Sequence, residues 1–260
     1  MNDCFLLTHQ TPVVVLPCCE KDLQMLIKNL QWMKDLDGQQ HFDALVSQDP
    51  DTNRILAGQV MDAARAAFVH VDHFVYDRVP MPRWPFGPNW AFQSTAWHIY
   101  ERVGRPWFWM EADCVPLREG WLSEWFDEYA HCGKPFMGAV VPGRQHMNGT
   151  AIYPANFPEV SPAAMKAADV AWDWVMQNDT IPLTHNSKLL FHFWGVVNGM
   201  PHPYDGPPAN FLTQADVDRW IPPHAVLVHR AKFGTLQDRL RERRLPKLQP
   251  ATAGGGSLRV

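Results

Sequence analysis

The stretch Arg105–Trp125, RPWFWMEADCVPLREGWLSEW, decides the fold class of this chain of 260 residues. The aromatic run Trp107–Met110 inside it is short, bulky and apolar, which predicts a buried strand. Glu111 and Asp113 follow at i and i+2, so both should emerge on the same side of the extended chain, just past the end of the strand. Because two like charges are costly to bury together without a cation, we predict a divalent metal ion at this pair.

The segments before this stretch alternate between strand and helix patterns. Apolar runs predict strands at Pro12–Pro17, Phe42–Ser47 and Val69–Tyr76, and Glu20–Leu36 and Thr52–Phe68 have helical spacing. The order β-α-β-α-β predicts an α/β fold, with a mostly parallel central sheet and helices on both faces. Ligands of such sheets bind at the carboxyl ends of the strands.

Three predicted strand ends carry candidate site residues, and their convergence predicts one shared site. They are Pro17 and Cys18 after the first strand, Asp49 and Asp51 after the second, and Glu111 and Asp113 after the aromatic strand. Two alternatives stay open, an Asx turn at Asp49-Pro50 and a solvated acidic turn at 111–113.

Composition and charge limit the class of protein. Hydrophobic residues make up 46% and charged residues 19%, which is typical of a globular domain. The net charge of −4 argues against obligatory binding of nucleic acid. Five Cys without a CxxC pattern suit reduced thiols, and we find no signal peptide or apolar stretch of spanning length. We therefore expect a cytoplasmic protein with no membrane partner.

The order of hydrophobic strand, acid-x-acid triplet, Pro, short loop and amphipathic helix resembles the DxD region of GT-A glycosyltransferases, with Glu in the first acidic place. The resemblance runs from about Pro12 to Asn156. It implies that Glu111 and Asp113 bind Mn²⁺ or Mg²⁺, and that this ion binds the diphosphate of a nucleotide sugar. The expected donor is a UDP-sugar. It also implies that His229, in a His-x-x-Lys-x-Gly segment, is a third ligand and that Lys232 lies near the phosphates. The alternative for His229 is a surface position after an edge strand.

The same resemblance assigns further donor-binding residues. Pro17, Cys18, Asp49 and Asp51 match the positions that hold base and ribose. Asn89, expected to precede a helix running through Val103, would help to seat the donor. Asn148 and Gly149 are expected with His146 in a polar loop, 142–150, and would face the donor sugar.

Asp173 is the candidate catalytic base for the acceptor hydroxyl. It lies between Trp172 and Trp174 in a predicted helix from Ser161 to Met176, so at most one of the two rings can flank it in a pocket. The alternative is an exposed helical Asp.

We expect one GT-A-like domain over residues 1–250, with a nucleotide-binding half (1–115), an acceptor-binding half (116–250) and a flexible tail (251–260). The basic C-terminal residues could contact the phosphates of an anionic acceptor such as DNA. These residues are Arg230, Lys232, Arg239, Arg241, Arg243, Arg244 and Lys247. The interleaved Asp238 and Glu242 favour instead a solvated helix with internal salt bridges.

The acceptor therefore stays open between a hydroxymethylated base in DNA and a hydroxyl of a saccharide or protein. A metal-dependent nucleotidyltransferase is a second class, although Cys18-Cys19-Glu20 is a poor phosphate-binding loop. A non-catalytic carbohydrate-binding protein that uses the 12 Trp is a third.

Overall fold

The structure is a computed structural model that describes residues 10–81, 83–141, 146–193, 196–197, 200–201 and 213–244. The expected tail at 251–260 and Lys247 lie outside these residues. Within the described ranges, no helix combines the length and the apolar character that crossing a bilayer requires.

A seven-stranded sheet forms the centre of the described part of the chain, in the order β3-β2-β1-β4-β7-β6-β8. Its strands are β1 (Val13–Cys18), β2 (Gln40–Gln48), β3 (Phe68–Val75), β4 (Trp107–Trp109), β6 (Phe136–Val140), β7 (Met147–Tyr153) and β8 (Thr184–Asn186). Strands β1 to β4 run parallel, β7 is antiparallel to β4 and β6, and β8 is parallel to β6. This arrangement confirms the predicted α/β class.

Helices cover both faces of this sheet, as predicted. One face carries α1 (Leu23–Asp37), α2 (Arg54–Ala67) and α4 (Trp121–Cys132), and the other carries α3 (Phe86–His98), α5 (Phe157–Val160) and α6 (Trp172–Val175). A π-helical segment, Ile99–Val103, continues α3, and α7 (Gln177–Thr180) follows α6. The aromatic strand β4 lies between the two layers, so Phe108 packs on one face and Trp107 and Trp109 on the other.

A smaller three-stranded sheet begins directly after the acidic triplet. It has the order β5-β12-β9, with β5 (Val115–Pro116), β9 (Leu190–His192) and β12 (Leu227–His229). Strand β12 is antiparallel to β5 and parallel to β9. A two-stranded pair, β10 (Val196–Val197) and β11 (Met200–Pro201), and helices α8 (Gln214–Trp220) and α9 (Thr235–Arg244) complete the described elements. The small sheet brings C-terminal residues to the carboxyl end of β4.

The predicted helix from Ser161 to Met176 is wrong. The segment contains a 3-10 turn at Ala164–Lys166 and the short α6 instead. A side chain from α3 explains the difference, because Asn89 donates to the carbonyls of Ala168 and Val170 and accepts from the N–H of Trp172. Gln93, also on α3, donates to the carbonyls of Ala164 and Ala167. Side chains of α3 thus replace helical hydrogen bonds between the 3-10 turn and α6.

Two predicted boundaries also differ from the structure. Helix α3 begins at Phe86, so Asn89 lies inside its first turn rather than before it. Strand β7 begins at Met147, which places Asn148 and Gly149 in the sheet and not in a loop.

Candidate metal and transfer site

The turn between β4 and β5 presents both acids at one point. The N–H of Met110 donates to the carbonyl of Val15 on β1, which extends the sheet by one residue beyond β4. The N–H of Cys114 then donates to the carbonyl of Glu111, which closes a tight turn. Glu111 is half-buried and Asp113 is 3% exposed, so the solvated turn is excluded for Asp113.

His229 reaches the acids through strand pairing. Val228 of β12 is paired with Val115 of β5, so the next residue of β12 lies beside the acidic turn. Nε2 of His229 lies 3.1 Å from Oε2 of Glu111 and 3.1 Å from Oδ1 of Asp113. One ligand atom from each of the three residues lies within 4.8 Å of the others. The structure thus brings together all three predicted metal ligands, and His229 is buried rather than on the surface.

The charges of this cluster depend strongly on one another. Burial opposes ionisation of Asp113, but His229 and Lys232 outweigh it and hold the pKa of this carboxyl below its usual value. Burial also opposes a charged His229, yet the carboxylates of Asp113 and Glu111 raise its pKa to about 10. Nζ of Lys232 lies 3.6 Å from Oδ2 of Asp113, and its side chain is half exposed. A protonated imidazole and the ammonium group of Lys232 together therefore balance the charges of the two acids in the metal-free protein.

The residues present fit a divalent cation. Oδ1 of Asp113 is fully buried and completes no hydrogen bond with a described residue, because the single Nε2–H of His229 serves Glu111. Two carboxylates and one imidazole suit Mn²⁺, and the carboxylate oxygens also suit Mg²⁺. A cation between these atoms would take the place of the imidazolium proton and satisfy the buried oxygen.

A second histidine, which sequence reasoning missed, lies behind the first. Nδ1 of His192 lies 2.9 Å from Nδ1 of His229, and His192 is buried. Burial and the charge of His229 hold the pKa of His192 well below its usual value. No local signal marks His192, because only the pairing of β9 with β12 brings it to the site.

Gly149 on β7 packs against Glu111 from the neighbouring strand. A Cβ at position 149 would lie 3.1 Å from Oε1 of Glu111 and 2.9 Å from the ring of Trp172. Glycine is therefore required for this close approach. Asn148 is half-buried, and its Oδ1 accepts from the N–H of Thr150.

Asp173 lies at the start of α6 and faces the same cluster. Burial and the negative charge of Glu111 raise the pKa of Asp173 to about 7. Its Oδ2 lies 3.9 Å from Nε2 of the buried His146. Trp172 is buried and stacks on Phe92 at 4.4 Å, whereas Trp174 is 44% exposed.

The rings of Trp174 and His146 have centroids 5.4 Å apart. Trp174 thus lies beside His146, and Trp172 lies in the core. The side chain of Asp173 is 15% exposed, which argues against the alternative of an exposed helical Asp.

The four residues predicted to hold the nucleotide lie together at the ends of β1 and β2. Cys18 is buried, and burial raises the pKa of its thiol to about 12, so it is not a reactive thiolate. Asp49 accepts from the N–H of Asp51, which is the Asx turn considered as the alternative. Asp51 forms an exposed ion pair with Arg78. Pro17 is half-buried within β1, and a nucleotide-binding role for these residues stays a prediction.

The arginines of the basic helix α9 form ion pairs with nearby carboxylates. Its four arginines each meet a carboxylate: Arg239 with Glu242, Arg241 with Asp35, Arg243 with Asp218, and Arg244 with Glu119. The structure confirms the salt-bridged alternative for this helix.

Comparison with solved structures confirms the predicted GT-A fold. The bifunctional glycosyltransferase WbbM is similar with a TM-score of 0.53 and 10% identity over 89% of this chain, which spans 47% of the WbbM chain. The galactosyltransferase LgtC, in an active-site mutant, is similar with a TM-score of 0.51 and 9% identity, over 90% of this chain and 98% of that chain. No protein-family profile matches the sequence, and neither does any curated protein.

Proposed function

We propose that this protein is a metal-dependent glycosyltransferase that moves a sugar from a nucleotide-diphosphate sugar to an acceptor hydroxyl. The observation that carries the proposal is the convergence of Glu111, Asp113 and His229 at the carboxyl end of β4 in a GT-A fold. In open α/β sheets this edge is where ligands bind. The cluster bridges the proposed nucleotide-binding half, 1–115, and the proposed acceptor-binding half, 116–250.

A divalent cation held by these three residues would neutralise the charge that develops on the leaving diphosphate. Lys232 suits a second contact, because its half-exposed ammonium group lies 3.6 Å from Asp113 and can reach a phosphate oxygen beside the cation. Gly149 and Asn148 would face the donor sugar from β7. Pro17, Cys18, Asp49 and Asp51 would hold base and ribose, with uridine diphosphate as the expected nucleotide. Asn89 would act indirectly, because its amide holds the segment that carries Asp173.

Asp173 is the proposed base for the acceptor hydroxyl. Its pKa of about 7 in the metal-free protein places it in the range suited to proton transfer near neutral pH. A bound cation would lower this pKa and leave more of the carboxylate ready to accept the proton. His146 lies within 3.9 Å and would orient the carboxylate.

A saccharide is the acceptor that the surroundings of Asp173 favour. The exposed ring of Trp174 lies beside His146, and flat aromatic rings suit the apolar faces of sugars. A hydroxymethylated base in DNA has less support, because the arginines of α9 already meet carboxylates.

The test is a donor screen with and without metal. The purified protein is incubated with UDP- and GDP-sugars, with Mn²⁺, Mg²⁺ or a chelator, and with a panel of simple glycosides. We expect release of nucleoside diphosphate that requires metal and rises with one acceptor class. The matched control is Asp113→Asn, which keeps the shape of the side chain and removes its charge.

Two additions to the screen separate the rival classes. With nucleoside triphosphates and sugar 1-phosphates as substrates, a nucleotidyltransferase would release pyrophosphate. In a calorimetric titration with the glycosides, a carbohydrate-binding protein would bind them without turnover. Either result, with no nucleoside diphosphate formed from any donor, would contradict the proposal.

A further inference from the structure

His192 and His229 are neighbours across two parallel strands. The register of β9 and β12 pairs residue 192 with residue 229 directly, so both side chains point to the same face of the small sheet. Their Nδ1 atoms lie 2.9 Å apart, and both residues are buried. Two imidazole nitrogens at this distance share one proton, because one must donate and the other must accept.

The direction of that hydrogen bond determines what the far side of His229 can do. If His229 donates through Nδ1–H, the neutral ring has a lone pair at Nε2, the atom that lies 3.1 Å from both Glu111 and Asp113. If His192 donates instead, the neutral ring of His229 carries its proton at Nε2 and cannot bind a cation there. Metal-binding histidines are generally held by an acceptor at the other ring nitrogen.

We propose that His192 is a positioning residue that accepts the Nδ1 proton of His229 and so keeps Nε2 of His229 directed at a divalent cation. The inference rests on the proposed function, in which His229 binds that cation. His192 itself touches neither cation nor substrate, and it acts through the tautomer and orientation of its neighbour.

The geometry also explains why this acceptor is an imidazole and not a carboxylate. The cluster already holds the two acids Glu111 and Asp113, and a third buried negative charge would add repulsion. A neutral imidazole accepts one hydrogen bond without adding charge. His192 must then carry its own proton at Nε2.

Two substitutions separate this role from simple packing. In His192→Asn the side-chain Oδ1 lies near the position of the imidazole Nδ1 and can still accept from His229. In His192→Leu the acceptor is removed and apolar volume is kept. The matched control is His185→Asn, which removes a ring that pairs with Glu128 away from the cluster.

The first readout is the affinity for Mn²⁺ of the full chain without donor, measured by calorimetry or by the electron paramagnetic resonance signal of free Mn²⁺. We expect His192→Leu to bind Mn²⁺ about 10- to 100-fold more weakly than wild type. His192→Asn should bind within a few-fold of wild type, and His185→Asn should be unchanged. Equal affinity of wild type and the Leu variant, or an Asn variant as weak as the Leu variant, overturns the proposal.

The second readout uses the wild-type protein, so it does not depend on whether a variant folds. Nitrogen-15 NMR of histidine-labelled wild type reports which ring nitrogen carries the proton. We expect His192 to be protonated at Nε2 alone, and a proton at its Nδ1 overturns the proposal. Wild type that binds neither Mn²⁺ nor Mg²⁺ would overturn the metal dependence of the proposed function as well, whereas normal binding that is insensitive to position 192 overturns this inference alone.

Discussion

The acidic turn after β4 and the basic helix α9 both contain several charged residues, but they differ in how far those side chains are buried. On α9 the arginine side chains are between 30% and 54% exposed, and each of them meets a carboxylate. At the turn, Asp113 and His229 are buried, and a carboxylate oxygen completes no hydrogen bond with a described residue. Exposed ion pairs contribute little to stability, whereas buried charges without full partners are costly. The meeting of two carboxylates and an imidazole at one largely buried point, and not charge density, therefore identifies the site.

The largest effect is expected for Asp113→Ala, which tests whether the buried acid at the turn is a metal ligand. Losing one ligand from a site with few protein ligands should lower turnover about a thousandfold or more, because the developing charge on the leaving group loses its neutralisation. Metal-dependent release of nucleoside diphosphate measures the effect, with thermal unfolding as the check on folding. Near-normal turnover in the presence of metal would refute the metal site.

The next largest effect is expected for His229→Ala. Affinity for Mn²⁺ should fall on the order of a hundredfold, because a direct ligand contributes at least as much as the residues behind it. Donor affinity should fall with it, since the cation and the diphosphate bind together. Titration of the rate with Mn²⁺ gives both values, and an unchanged metal dependence would remove His229 from the ligand set.

Gly149→Ala tests the close packing beside Glu111. The added Cβ would lie 2.9 Å from the ring of Trp172 and 3.1 Å from Glu111, so the strand or the acid must move. We expect a loss of about 1–3 kcal/mol in the free energy of unfolding and a roughly tenfold lower rate. Denaturant unfolding and initial rates measure the two effects.

The matched control for position 149 is Gly58→Ala, at an exposed position of α2 where no atom lies within 4 Å of the new Cβ. It should leave the rate unchanged and stabilise the helix by roughly 0.5–1 kcal/mol. If Gly149→Ala behaved like this control, the packing argument for Glu111 would be wrong.

Asp173→Asn tests the buried carboxyl through pH. Because the folded-state pKa of Asp173 is about 7, well above its ordinary value of 3.8, the metal-free folded protein binds this proton more tightly than the unfolded chain. Stability from this group is therefore fully present below pH 3.8, is lost as pH rises from there to about 7, and does not change further above that value. In a chelator, the melting temperature of wild type should fall relative to Asp173→Asn as pH rises to about 7, and the difference should then level off. A constant difference would show that the carboxyl is not shifted.

The smallest effect is expected on α9. Arg243→Ala removes one exposed ion pair with Asp218 and should cost less than about 1 kcal/mol, with sugar transfer unchanged. Unfolding and transfer assays measure both. The opposite outcome is strong, salt-sensitive binding of duplex DNA that Arg243→Ala weakens for all sequences alike. That outcome would support a DNA acceptor.

Local pattern was enough to predict the parallel half of the main sheet and the acidic pair. Apolar runs indicate β1, β2, β3 and β4, and the i, i+2 spacing places Glu111 and Asp113 together. The prediction of His229 depends on the resemblance, because no short-range pattern joins it to Asp113 and Glu111, which lie 116 and 118 positions earlier in the sequence. His192 was missed for the same physical reason, since strand pairing between distant segments leaves no periodic signal.

The region around Asp173 shows a second limit of sequence reasoning. The sequence pattern predicts a helix over 161–176, yet two side chains of α3, Asn89 and Gln93, take up backbone groups that this helix would have used. Tertiary hydrogen bonds of this kind override local preference and cannot be read from spacing.

The pairing of β12 between β5 and β9 has a consequence for how this chain can change over time. Val228 with Val115 and His229 with His192 are fixed by ladder hydrogen bonds, so the positions of these histidines depend on strand register and not on the length of the chain between them. The connection between β9 and β12 can therefore change in length while the histidine pair stays in place, as long as both strands keep their register. A one-residue slip of β12 would instead turn the imidazole of His229 away from His192. Variation in that connection is thus compatible with a constant position for the histidine pair.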